Sequence, residues 1–227
     1  MSIHPFVNAV ASLHFDNTFN PYSDRCEVYD RQDAPLRRAR ALSALVEKAT
    51  KTNVDAVWIG RDLGYRGGRR TGLALTDDVH VERHARRWNI FAERQTVGEA
   101  VAERTAAVIW GVLDQIDQPI FLWNVFPLHP HEVGLPFTNR QHNAQERKAG
   151  EEILSLLLSL LRPRRVLAIG NDAFGVATRV AINGTVALAR HPSYGGQRQF
   201  EQQVAELYNL PTGITSLKLS THDAGYA

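Results

Sequence analysis

Cysteine is almost missing from this chain: Cys26 is the only one in 227 residues. A lone thiol excludes an internal disulfide, an all-cysteine metal site and an iron–sulfur cluster ligated by this chain alone. Long hydrophobic runs are missing too. No segment approaches the roughly 18–20 apolar residues of a membrane span. The first residues, MSIHPFVNAV, show no cationic stretch followed by an apolar one. A cytoplasmic protein without membrane attachment is therefore expected. Nor is charge of one sign in excess. Lysine and arginine number 26 against 24 acids, a net charge of +2. Only local clusters of arginine could meet a polyanion. There is no internal repeat, low-complexity tract or linker. The expectation is one domain over 1–227, with 1–34 an irregular segment packed on it, and a monomer.

What the chain does contain is a regular alternation. Hydrophobic residues make up 44% and charged residues 22%, an ordinary globular balance. Four short apolar runs read as buried strands: Val54–Ile59 (broken by Asp55), Pro119–Val125, Arg165–Gly170 and Gly184–Ala189. Between them lie helical stretches. PLRRARALSALVEKAT, from Pro35, puts Leu36, Ala39, Leu42, Leu45 and Val46 on one stripe, with arginines opposite. Asp77-Asp78 can cap a helix through about Arg87. Gly98–Asp117 has Val101, Thr105, Val108, Ile109, Val112 and Ile116 at helical spacing. Asn143–Leu161 ends in leucines expected against the sheet. Asn171-Asp172 opens a helix to about Ala181, and a last one runs from about Arg198 to Tyr208. Strands alternating with helices imply an α/β fold, a parallel sheet covered on both faces.

Parallel sheets bind ligands outside the carboxyl ends of their strands. The first strand delivers Asp62 into a loop with Gly60, Gly64, Gly67, Gly68 and Gly72 and four arginines: Arg61, Arg66, Arg69 and Arg70. Glycines let another backbone approach closely, and arginines match phosphates bidentately. The second strand ends at Asn124, the third at IGNDA, the fourth at Arg190 and His191. An acid, an amide and an imidazole on one rim form a catalytic inventory. Each has a plainer alternative. Asp62 could be a turn acid paired with Arg61 or Arg66, Asn124 a buried amide satisfied by backbone, His191 an ordinary loop residue. His129 and His131 resemble a metal pair, but no further ligands stand at telling spacing, so they read as solvated loop residues. Trp58, Trp110 and Trp123 read as core.

The ordered set of strand ends resembles the uracil-DNA glycosylase superfamily over most of the chain. GRDLG at Gly60–Gly64 is similar to its first motif, written GQDPY, GEAPG or GINPG in different families. TGLALTDD at Thr71–Asp78 looks like the segment that follows. Asn124 in WNVFP matches the asparagine that reads the uracil edge. HPSYGG at His191–Gly196 resembles the HPS motif of the last loop. The resemblance implies a three-layer α/β/α sandwich around a four-stranded parallel sheet. It implies hydrolysis of the N-glycosidic bond of uracil flipped out of single- or double-stranded DNA, with no cofactor or metal.

On that resemblance Asp62 would stabilise the sugar cation and orient water, and His191 would donate to the departing base. One such donor is worth roughly 3–4 kcal/mol. Asn124 offers adjacent donor and acceptor groups to the O4/N3–H edge. Gly60, Arg61, Gly64, Tyr65 and Leu75 would surround the base. Arg66, Arg69, Arg70, Arg190, Ser193, Tyr194, Gln197 and Arg198 would hold the strand. The chain departs from the pattern at several points. Leu75 stands where most relatives have a phenylalanine stacked on the base. Gly64 stands where one family has a tyrosine that excludes thymine, with Tyr65 next to it. Gly195 stands where the best-known family has its intercalating leucine, leaving Tyr194, Gln197 or Arg198 as the wedge. Two other classes stay open. One is a catalytically weak or silent binder of DNA lesions with the same fold. The other is a Rossmann-like nucleotide-binding enzyme, although G-x-G-x-x-G spacing and a P-loop lysine are absent.

Overall fold

The first apolar run becomes an inner strand, flanked by a neighbour on each edge and by a core on each face. The computed structural model describes residues 2–181 and 185–211. In chain order, α1 spans Pro5–Ala11, β1 Thr18–Phe19, α2 Ala34–Ala49, β2 Ala56–Asp62, α3 Gly68–Thr71, α4 Val81–Arg87 and α5 Arg104–Leu113. Then come β3 Ile120–Phe126, β4 His129–Pro130, α6 Ala144–Leu161, β5 Arg165–Ile169, α7 Asn171–Val180, β6 Thr185–Ala189 and α8 Gln197–Tyr208. Strands β3, β2, β5 and β6 lie side by side in that order, all parallel. This is the expected α/β class and four-stranded sheet. Gly184, the expected start of the last strand, lies outside the described residues.

Side chains alternate across a strand, so each strand feeds two cores. Val57 and Ile59 of β2 pack with residues of α1, α2, α6 and α7. Ala56 and Trp58 pack with residues of α5 and α8. The sheet thus lies between two helical layers. Trp58, Trp110 and Trp123 are all buried, and Trp58 Nε1 donates to the Tyr208 hydroxyl at 3.0 Å. The chain runs from β2 outward to β3, then returns past β2 to β5 and on to β6. The strand order therefore reverses between β2 and β5, where a crevice opens at the carboxyl ends.

Several local expectations are corrected. The N-terminal segment is not irregular throughout. It holds the helix α1, which buries Phe6, Val7 and Val10, and the strand β1, which pairs antiparallel with β4. Buried Asn20 ties this segment together by donating to the carbonyls of Val10 and Leu13. On α2 the stripe is shifted. Leu36 is 45% exposed, whereas Arg38 is 1% exposed. Arg38 is buried because both terminal guanidinium nitrogens bond the Asp30 carboxylate and its Nε donates to the Arg70 carbonyl. Asp77 caps the turn before α4, accepting from Val79 and His80 backbone N–H, and the helix itself starts only at Val81. α5 starts at Arg104 instead of Gly98, because Asp78 and Asp77 capture the backbone N–H groups of Val101 and Glu103. Of the α6 leucines, Leu154, Leu157 and Leu161 are buried, while Leu156 and Leu160 face outward.

Arg38→Ala would strand the buried Asp30 carboxylate, and removing one partner of a buried pair typically costs about 3–5 kcal/mol. Chemical denaturation should show a loss of that order. A loss under about 1 kcal/mol would mean that Asp30 rehydrates freely.

Candidate functional site

The carboxyl ends of β2, β5 and β6 open into a cleft of about 840 Å³. Its floor depends on a glycine. Gly60 stands in register with Asn124 on the neighbouring strand. A Cβ at Gly60 would come 2.4 Å from Asn124 Oδ1 and 3.0 Å from the Leu75 side chain. Without it, the amide occupies the space beneath Gly60. Asn124 is 1% exposed and its Oδ1 has no hydrogen-bond partner among the described residues. An unpaired buried acceptor costs about 1–3 kcal/mol, a cost that a ligand N–H would remove. Leu75 closes this corner with a left-handed φ of 54°, rare for a residue with a bulky side chain. Its carbonyl is held by Trp110 Nε1 at 3.1 Å.

Asp62 ends β2 and lines the cleft, yet its side chain is only 7% exposed. Arg61 Nε donates to Oδ2 at 2.7 Å, and His142 Nδ1 donates to Oδ1. The pairing with Arg61 was one of the plainer alternatives for this acid. The second partner, His142, comes from a distant part of the chain. Each carboxylate oxygen keeps a further lone pair for water.

His191 follows β6. Its Nδ1 accepts from the Ser193 backbone N–H at 3.2 Å and lies 2.7 Å from Ser193 Oγ. An accepting Nδ1 puts the proton on Nε2, leaving that N–H free to donate. Burial, reinforced by the guanidiniums of Arg61 and Arg190, holds the imidazole pKa below its ordinary 6.5. The ring is therefore neutral near pH 7. The loop behind it is tight: a Cβ at Gly196 would stand 2.1 Å from the His191 carbonyl oxygen. Tyr194 has a left-handed φ of 51° and is 98% exposed at the loop tip.

Of the residues named from sequence, Gly60, Arg61, Asp62, Gly64, Leu75, Arg190, His191, Ser193 and Tyr194 line the cleft together. Asn124 lies under its floor. The exposed Arg66 and Arg198 and the half-buried Tyr65 and Gln197 lie near it in sequence without lining it. Arg69 and Arg70 are corrections. They are 3% and 7% exposed and cannot reach phosphates. Arg69 bonds Tyr29 and His129 and lies over the Phe19 ring. Arg70 pairs with Asp78 and lies over Tyr29. α3 turns both inward, where these carboxylate, phenol and imidazole partners replace water. His129 is likewise not solvated. It accepts from Arg69, donates to the Thr138 carbonyl, and burial pushes its pKa down to about 3. Among the described residues no group of three or more His, Cys, Asp or Glu could hold a metal ion, and no helix is long and apolar enough to cross a membrane.

Sequence reasoning missed one wall. Residues 139–146 form a bracket across the cleft. Asn139 accepts from the Tyr65 N–H, Arg140 grips Glu146 through both terminal nitrogens, and His142 holds Asp62. Asn143 and Glu146 form a complete capping box that anchors the bracket to α6. The sequence signal existed: N-x-x-E before an apolar helix fixes the direction of the residue just ahead of the cap.

Gly60→Ala should displace the Asn124 amide and Leu75, at about 1–3 kcal/mol of overpacking. A crystal structure of the variant would show the shift. An unmoved Asn124 would mean that glycine is dispensable at the floor.

No protein-family model matches this chain, and no curated protein does. Among solved structures the chain is similar to Pedobacter heparinus SMUG2, with 13% sequence identity and a TM-score of 0.55. The match covers 90% of this chain and 97% of that one. At this identity the likeness shows the fold alone.

Proposed function

We propose that this chain is a monofunctional DNA glycosylase that flips uracil out of DNA and hydrolyses its N-glycosidic bond, leaving an abasic site. The observation that carries this reading is the buried Asn124 amide oxygen, without a hydrogen-bond partner among the described residues, directly beneath Gly60 at the floor of a cleft rimmed by a paired carboxylate and a neutral imidazole. The motif resemblance supports it, and the likeness of fold to SMUG2 agrees with it.

The chemistry follows from charge. Bond cleavage builds positive charge on the sugar and negative charge on the leaving base. Asp62, oriented by Arg61 and His142, faces the sugar and positions water. The Nε2–H of His191 donates to the base oxygen as it becomes anionic. Because that donor is already aimed, little reorganisation is needed during reaction. Asn124 supplies hydrogen bonds to the uracil edge, satisfying its own buried oxygen. Leu75 covers the base with an aliphatic face. Tyr194, fully exposed at the loop tip, is the wedge that fills the gap left in the stack. Arg66, Arg190 and Arg198 contact phosphates, and the protein acts as a monomer.

The second reading, a catalytically silent lesion binder, is favoured by one observation: both Asp62 oxygens already have protein partners. Excision from an end-labelled uracil oligonucleotide, developed with alkali, separates the two. Strand cleavage is expected only after alkali, since the motifs place no lysine or terminal amine for a Schiff base. Asp62→Asn and His191→Ala should each lower single-turnover excision by on the order of a hundredfold, with little change in binding to an uncleavable duplex. Wild-type-like excision from both variants would sink the mechanism. Loss of binding in step with rate would mean that they only support the loops.

A further prediction concerns the exposed cations. Replacing Arg66, Arg190 and Arg198 by alanine should lower affinity for DNA of any sequence. Each lost contact should reduce the slope of log K against log salt by about one unit. An unchanged slope in the triple variant would turn this face away from DNA.

A further inference from the structure

Glu103 is an ionisable group of the cleft to which the chemistry above gives no task. It precedes α5 as its N-cap residue, and its backbone N–H donates to Asp77 Oδ2 at 2.6 Å, which fixes where the side chain starts. Its carboxyl group fills the space in front of two glycines. A Cβ at Gly64 would stand 2.9 Å from Glu103 Oε1, and one at Gly67 would stand 2.2 Å from Oε2. The carboxyl therefore takes the place that side chains at 64 and 67 would otherwise occupy. It lines the same cleft as Gly60, Asp62, Leu75 and His191. α5 packs on the face of the sheet that carries Leu75, whose carbonyl Trp110 of that helix holds. Among the described residues the carboxyl makes no hydrogen bond or ion pair with the protein.

An ionised carboxylate in that position is electrostatically costly. The cleft is read as receiving a base rich in carbonyl oxygens, whose negative charge grows as the bond breaks, on a polyanionic strand. A partnerless carboxylate would repel all of it. A neutral carboxyl would do the opposite, since its O–H is a donor. We propose that Glu103 is a further base-contacting residue, protonated in the complex and donating its carboxyl O–H to a carbonyl oxygen of the flipped base. This inference rests on the reading of the cleft as a base pocket.

The groups that face Glu103 are consistent with a proton held there. Burial, together with the Asp77 carboxylate from the turn before α4, pushes its pKa up to about 6, against the pull of Arg66 from the glycine loop. Asp77 is itself held by His80. Arg61, Asp62, Arg140, Asp172, Arg190 and His191 share the cleft. A bound base excludes more water, which raises a carboxyl further.

Two measurements on the full chain test the contact. The first is calorimetric binding to a duplex with a fluorinated, uncleavable deoxyuridine at pH 7.5, in two buffers of different ionisation enthalpy. The wild type should take up close to one proton per complex and Glu103→Gln close to none. The second is single-turnover excision from pH 5.5 to 8.5. The wild-type rate should fall up to about tenfold per pH unit above the pKa of the bound carboxyl. Glu103→Gln keeps an N–H donor and should lose that alkaline limb. Equal proton uptake by the two proteins, or equal alkaline limbs, would overturn the proposal. If neither protein excises uracil, the glycosylase reading fails, while proton uptake on binding still decides the contact. If neither binds the duplex, both fail.

Discussion

Strand β2 lies between two strands and between two cores, and everything at the site is measured from it. Its backbone is paired with β3 on one edge and β5 on the other. Its side chains are divided between cores that include α2 and α6 on one side and α5 and α8 on the other. Such a strand cannot slip, because a one-residue shift would exchange its two faces. Asp62 therefore leaves the sheet at a fixed height, next to Phe126, and Gly60 leaves its gap directly beside Asn124. The site inherits its accuracy from this register.

A second layer of constraint is electrostatic. Three arginines of the α2 and α3 region are buried, each with a defined set of partners. Arg38 holds Asp30 and the Arg70 carbonyl, Arg70 holds Asp78, and Arg69 holds Tyr29 and His129. Asp78 in turn accepts from Thr96 and Val101. The network joins the N-terminal segment, the glycine loop, the approach to α5 and the short strand β4. These connections lack regular secondary structure over much of their length, so buried charge takes over the role that helix ladders play elsewhere. A pair of this kind adds little net stability but is expensive to break, and it favours one arrangement of the loops.

The resulting cleft separates two kinds of polar group. Asp62 and His191 each have partners that orient them: Arg61 and His142 for the acid, Ser193 for the imidazole. The Asn124 oxygen and the Glu103 carboxyl have no hydrogen-bond partner among the described residues. Oriented groups suit roles in which charge develops during reaction. Partnerless groups suit contacts that a bound ligand completes.

The sequence by itself determined the class of fold, the number of strands in the sheet and roughly where they end, although β2 runs on to Asp62 and β3 to Phe126, past the expected Ile59 and Val125. Apolar runs of strand length between helical periodicities admit little else, and Asp62, Asn124 and His191 could be named because each stands within three residues of the end of such a run. It also carried the tight turns, since GRDLG and HPSYGG need their glycines for close backbone approach. Only the tertiary structure decided which polar side chains face the cleft. Arg66 and Arg70 look alike in a glycine-rich loop, yet Arg66 is exposed and Arg70 is buried on Asp78, a partner reached only after the chain turns back. His142 and Glu103 were not visible as site residues, because each owes its position to the cap or start of a helix whose packing brings it to the end of β2 or the glycine loop after it, from 80 and about 40 residues away. Local patterns specify periodicity and turns. Which charges meet is set by contacts distant in sequence, and a buried charge is stable only where such a contact supplies its partner.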